Sequence, residues 1–228
     1  MGGDRIETNL AAVRERVARA AERAGRDPGE IRLVAVTKGV PPDRVRRAVE
    51  AGATDLGENY VQELRAKRAA VPGARWHFIG TLQSHTAHRV ADLADVVQTL
   101  AGERATERLA RRAARAGRRL PALIEVDLTE GRAGVAPGAL EGFADRVVRL
   151  EGIAVVGLMT IPPIPASPED ARPFFRRLRE LRDRLRERHP GIVELSMGMS
   201  LDYEVAVEEG ATMVRVGTAL FGPRPPEA

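Results

Sequence analysis

The chain has 228 residues, no cysteine and a formal net charge of +4. That length suits one domain with a full-sized core, expected over residues 1–228. The missing cysteine excludes disulfides, thiolate metal sites and cysteine nucleophiles, and is consistent with a cytoplasmic location. Residues 1–10 hold no apolar run, so no signal peptide is expected. No stretch approaches the length of apolar chain that crosses a membrane.

The first element is helical. Ile6, Leu10, Val13 and Val17 recur at three- and four-residue spacing, which makes one apolar stripe on a helix over 6–24. A strand over 31–36 follows, then helix 43–51, strand 54–56, helix 61–70, strand 76–79, helix 86–93 and strand 96–99. The alternation continues with helix 104–116, strand 122–126, helix 140–150, strand 153–159, helix 173–188, strand 193–196, helix 203–209 and strand 213–216. Strands alternating with helices imply parallel pairing through right-handed crossovers. Eight such units suit a single α/β domain, a closed (β/α)8 barrel of TIM type carrying an extra N-terminal helix. An open doubly wound sheet is the alternative, although no Gly-x-Gly-x-x-Gly follows a strand. The Pro-rich stretch 161–168 reads as a stiff loop after the sixth strand rather than a linker.

The cations carry a strong bias. Lys38 and Lys67 are the only lysines among 36 cationic residues; the rest are arginine. Arginine cannot stand in where a neutral amine must attack a carbonyl, so a surviving lysine is a candidate for chemistry. Lys38 ends an apolar strand, where a chance charge is unexpected, whereas Lys67 falls in a polar helix, an ordinary place for a cation. The arginines are interleaved with Glu and Asp, as over 176–188, and read as solvated helix faces rather than a nucleic-acid surface.

In a barrel the ligand site gathers at the C-terminal strand ends. There stand Thr37-Lys38, Gly57-Glu58-Asn59-Tyr60, Gly80-Thr81-Leu82-Gln83-Ser84, Met159-Thr160, Met197-Gly198-Met199-Ser200 and Gly217-Thr218. Ser200 reads as the N-cap of a helix starting near Leu201, and Gly217 with Thr218 opens a short final helix. Helix N-termini attract anions, and barrels commonly hold phosphate after strands seven and eight. Taken singly, Ser200 is a cap and Gly217 a turn residue; together they suggest a phosphate cradle, with Arg215 two residues before the glycine. Lys38 could then form a Schiff base with a phosphate-bearing aldehyde, or simply pair with a carboxylate such as Glu58. His77, inside strand three, is either a buried hydrogen-bonded side chain or a neighbour of the cofactor. His85 and His88 lie three apart on a helix without an evident third ligand, so no metal is expected.

Several segments carry a resemblance. They are Ala35-Val36-Thr37-Lys38, Gly57-Glu58-Asn59-Tyr60-Val61-Gln62-Glu63, Trp76-His77-Phe78-Ile79-Gly80 with Leu82-Gln83-Ser84, and Gly157-Leu158-Met159. The densest are Leu195-Ser196-Met197-Gly198-Met199-Ser200 and the run from Thr212 through Arg215, Gly217 and Thr218 to Gly222. In this order, over nearly the whole chain, they resemble the pyridoxal phosphate homeostasis protein family. The resemblance implies a barrel like the N-terminal domain of alanine racemase. It implies pyridoxal 5′-phosphate (PLP) held as an aldimine on Lys38, its phosphate near Ser200, Gly217 and Thr218, with Asn59, His77, Met159 and Arg215 beside it. Where the family usually has Asn-Lys after Leu-Gln-Ser this chain has His85-Thr86. Arg132 stands where a lysine often precedes the glycine after strand five.

The implied role is a carrier or regulator of PLP, monomeric, serving apo PLP-dependent enzymes, with no nucleic-acid or membrane partner. A racemase-like PLP enzyme is the rival, and a Schiff-base aldolase on a barrel fits the bare chemistry but not the motifs. Little racemase turnover is expected, because in the alanine racemase pattern the opposing tyrosine comes from a second, β-rich domain. This chain is expected to lack that domain, since it runs only to Ala228 after Phe221-Gly222. Of its two tyrosines, Tyr203 has a plain packing explanation and Tyr60 lies near the predicted pocket.

Overall fold

The computed structural model describes residues 5–129 and 131–223. Eight strands form one closed barrel in sequential order, every neighbouring pair parallel. They are β1 (Arg32–Val36), β2 (Asp55–Glu58), β3 (Arg75–Phe78), β4 (Val96–Leu100), β5 (Leu120–Glu125), β6 (Ile153–Met159), β7 (Glu194–Ser196) and β8 (Met213–Val216). The closing pair is β1 with β8, Val34 lying opposite Arg215. Closure decides against the open doubly wound sheet.

The helices are α1 (Ile6–Arg23), α2 (Pro42–Glu50), α3 (Val61–Ala70), α4 (Ala87–Leu93), α5 (Glu103–Arg115), α6 (Leu140–Val147), α7 (Arg172–Arg188), α8 (Tyr203–Glu208) and α9 (Thr218–Phe221). The α1 stripe of Ile6, Leu10, Val13 and Val17 is buried, against α8 and α9 as well as α2. Asn9 reinforces that packing by donating from Nδ2 to the Leu220 carbonyl, 2.9 Å. The extra helix therefore braces the two elements that follow β7 and β8.

Boundaries differ from expectation in a few places. β5 begins at Leu120 and includes Pro121, two residues earlier than the apolar run suggested. Proline usually argues against a strand because it cannot donate to the ladder. Here Pro121 lies opposite Ala154 of β6 while Leu120 takes the ladder bond, its N–H donating to Gly152. The 161–168 stretch is the loop between β6 and a 3-10 turn over Pro168–Ala171 that leads into α7.

The main core lies between the strands and the helix ring, and contains the large buried side chains Trp76, Phe78, Phe175 and Tyr203. The barrel interior holds a second, smaller apolar cluster of Val96, Leu123, Met159 and Met213. Among the described residues no helix is long and apolar enough to cross a membrane.

Candidate functional site

A cavity of about 330 Å³ opens at the C-terminal strand ends. Lys38, Asn59, Ser200, Arg215, Gly217 and Thr218 all line it, with Val36, Ile79 and Ile161 as apolar walls. A larger groove of about 690 Å³ lies on the outside between α4 and α5. It is walled almost wholly by charged side chains such as Arg108, Arg112 and Asp92, with no amine nucleophile and no apolar wall. Ligand sites are concave and mostly apolar with a few convergent polar groups, so the chemistry belongs to the cavity at the strand ends.

Lys38 sits in the β1–α2 loop, in a turn that Gly39 completes with φ of 70°. That left-handed conformation costs glycine nothing and other residues more. The Lys38 ammonium lies 5.2 Å from the centroid of the Tyr60 ring, which is 49% exposed at the rim. Across the cavity, Ser200 accepts the Ala219 N–H at 3.2 Å, tying the β7–α8 loop to the first turn of α9. Ser200 is not a helix cap: α8 begins at Tyr203, and Asp202 holds the cap position. Asp202 accepts the Met199 N–H at 2.6 Å through Oδ1, while its buried Oδ2 has no hydrogen-bond partner. Burial pushes the Asp202 carboxyl up, against the Met199 bond and the charge of Arg215.

Arg215 forms part of the floor. It is buried, donating 2.6 Å to Ser196 Oγ and 2.8 Å to the Thr160 carbonyl. Burial lowers its guanidinium to about 10, opposed by the charges of Glu125 and Asp202, so it stays cationic at neutral pH. Below it a chain of hydrogen bonds runs through the barrel. Ser196 Oγ donates to Gln98 Oε1 at 2.6 Å, and Gln98 Nε2 lies 2.9 Å from His77 Nδ1. His77 Nε2 lies 2.8 Å from Asp55 Oδ1. Burial pushes His77 down despite Asp55, so the neutral ring accepts from Gln98 and donates to Asp55.

His77 and Met159 therefore stand apart from the other expected site residues. Neither lines the cavity. His77 has both ring nitrogens engaged beneath the floor, and Met159 packs against Val96, Leu123 and Met213. A strand sends alternate residues inward, but sequence does not say how deep in the barrel each one ends.

Glu125, which the sequence reading passed over, closes β5 and faces Arg215 and Arg132. Burial raises its carboxyl to about 7, even with both cations pulling it down. Lys67 is the other correction. It is only 4% exposed, not a solvated helix cation, and it donates 2.6 Å to Glu58 Oε1. The carboxylate offered as a partner for Lys38 is thus bonded to Lys67. The arginine bias that singled out Lys38 applied equally to Lys67 and could have found it.

The assembled site offers a primary amine, two hydroxyls, backbone N–H groups, a buried cation and apolar walls within one cavity. This donor set suits a flat, phosphorylated carbonyl compound. The sequence profile of the alanine racemase N-terminal domain family matches residues 8–225. The pyridoxal phosphate homeostasis protein of Aquifex aeolicus is 42% identical over 220 residues, covering 94% of this chain and 96% of that one. This chain belongs to the pyridoxal phosphate homeostasis protein family.

The pyridoxal phosphate homeostasis protein of Escherichia coli is 39% identical over 228 residues, 96% of this chain and 97% of its own length. PipY of Synechococcus elongatus, solved with PLP bound, superimposes with a TM-score of 0.85 at 34% identity, covering 95% of this chain and 100% of PipY. Alanine racemase of Clostridium difficile, at 17% identity and a TM-score of 0.78, shares the fold alone; 99% of this chain covers 61% of the racemase. Membership of the homeostasis family and a barrel of the alanine racemase N-terminal type both agree with the sequence expectation.

Proposed function

We propose that this chain binds PLP through Lys38 and serves PLP homeostasis as a carrier. The observation that carries the reading is that the rare lysine amine shares one cavity with Ser200, Thr218 and Arg215. When bound, PLP would supply an aldehyde able to condense with a primary amine, a C=N bond replacing the C=O bond while the oxygen leaves as water with the two amine protons, and a phosphate that would anchor it. Lys38 Nζ is the nucleophile. The Ser200 and Thr218 hydroxyls, with the N–H groups around Gly217, take the phosphate. Arg215, fixed from below, presents a cation to the ring, Asn59 borders the cavity beside Lys38, and Val36, Ile79 and Ile161 exclude water from its faces.

The carrier reading needs capture and release, and the names of the relatives support it. It takes the protein as a monomer acting in the cytoplasm and passing PLP to apo-enzymes. Borohydride reduction of the PLP-loaded protein followed by peptide mapping tests it. A pyridoxyl group on Lys38 is expected, and one found only on Lys67 refutes the assignment. A racemase-like reading rests on Tyr60, whose ring lies beside the Lys38 amine. Incubation with L-alanine and a panel of amino acids, with chiral analysis, separates the two. Turnover on the order of 1 per second that disappears in Tyr60→Phe would overturn the carrier.

A further inference from the structure

Both lysines that escaped the arginine bias meet at one place. Lys67 projects from α3 toward the β1–α2 loop and makes three bonds of 2.6 Å: to the Thr37 carbonyl, to Glu58 Oε1 and to Glu63 Oε2. Its three ammonium protons are thus all used. The same carboxylates reach the loop directly. Thr37 Oγ1 donates to Glu58 Oε1 at 2.6 Å, and the Gly39 N–H donates to Glu63 Oε2 at 2.8 Å. Thr37 and Gly39 are the residues on either side of Lys38.

We infer that Lys67, with Glu58 and Glu63, is a positioning device that fixes the peptide on both sides of Lys38 and so aims its amine into the cavity. The inference rests on the reading of Lys38 as the PLP-binding residue.

Charge and burial fit this role. A buried ammonium beside two carboxylates is an expensive arrangement, and a nonpolar replacement often serves stability as well. Stability alone therefore gives little reason for it. Burial pushes Glu58 up although Lys67 and Thr37 oppose it. Burial also acts to raise Glu63, but the bonds from Lys67 and Gly39 outweigh it and hold that carboxyl below its ordinary range. The ion that balances them must be compact and donate in three directions to three oxygens. Ammonium meets that demand, whereas the planar guanidinium fork does not. This accounts for lysine at position 67 in a chain that otherwise uses arginine.

A loop tied at one side of Lys38 only would let its Cα drift, and displacements near 1 Å can cost attack geometry heavily. The device acts on the amine and not on the phosphate cradle, which lies on α9 and the β7–α8 loop on other strands. Covalent capture and non-covalent docking should therefore separate when it is broken.

The experiment compares wild type with Glu63→Ala, which removes the acceptor for the Gly39 N–H, and with the double variant Lys67→Met/Glu58→Gln. The double variant removes the buried ion pair together and leaves an acceptor for Thr37. Two quantities are read: the affinity for pyridoxine 5′-phosphate, which has an alcohol in place of the aldehyde, and the rate at which PLP becomes borohydride-trappable on Lys38. Affinity for the alcohol should stay within about threefold of wild type, a difference below 1 kcal/mol. The trapping rate should fall by roughly tenfold or more. Unchanged trapping in both variants would overturn the inference. So would a parallel loss of affinity and rate, which marks a general structural role. Wild-type protein that traps nothing on Lys38 would instead overturn the underlying reading, before any variant is compared.

Discussion

Glu125 gives the sharpest link between burial and a measurable quantity. Its folded-state carboxyl lies near 7 against an ordinary value of 4.5, burial being the main cause. Below about pH 4.5 both folded and unfolded chains carry the proton and the site is neutral in its effect. Between 4.5 and 7 the unfolded chain ionises first, so it holds fewer protons than the folded one and stability falls as pH rises. Above 7 the loss is complete. At about 1.4 kcal/mol per pH unit, a rise from 4.5 to about 7 amounts to about 3 kcal/mol. Glu125→Gln keeps the shape and removes the titration. Urea unfolding of both proteins at intervals from pH 4.5 to 8 gives the difference directly. The variant should gain on wild type by about 3 kcal/mol across that window. A flat difference, or one that grows toward acid, would refute the assignment of a buried carboxyl beside Arg215.

Three further outcomes follow from the geometry. Ser200→Ala should weaken PLP binding by about tenfold or more, since a hydrogen bond to a charged group contributes roughly 1.5–3 kcal/mol; titration with pyridoxal, which lacks the phosphate, should show a much smaller loss, and equal losses would refute a phosphate role. Ser196→Ala leaves a buried Arg215 N–H and the Gln98 carbonyl oxygen without their partner, which should cost about 1–3 kcal/mol in urea unfolding; a wild-type midpoint would show that the internal chain does not hold Arg215. Gly198 has φ of 91°, and a Cβ there would lie 2.5 Å from the Ala206 Cβ. Gly198→Ala should therefore lose about 2 kcal/mol or more and weaken PLP binding by displacing Ser200, an idea that wild-type thermal stability would sink.

The sequence alone determined the elements and singled out the lysine that lines the cavity. Helical spacing in 6–24 and the eight alternating apolar runs are local properties, so they survive without knowledge of any partner. Lys38 was legible because composition made any lysine conspicuous and its strand end made it a site residue. Ser200, Gly217 and Thr218 were legible through position after the last two strands. Depth and pairing were not. His77 and Met159 both belong to barrel strands, yet only closure of β1 against β8 decides that they lie beneath the floor instead of on it. Lys67 looked solvated because α3 is polar in sequence, and its socket is assembled from the β1–α2 loop, β2 and α3 at once. The raised Glu125 carboxyl likewise needs the burial that only the assembled barrel supplies, which outweighs the opposing charge of Arg215, ninety residues away in the chain. Periodicity is set by the backbone over a few residues, whereas burial and charge pairing at the centre of a barrel depend on all eight strands meeting.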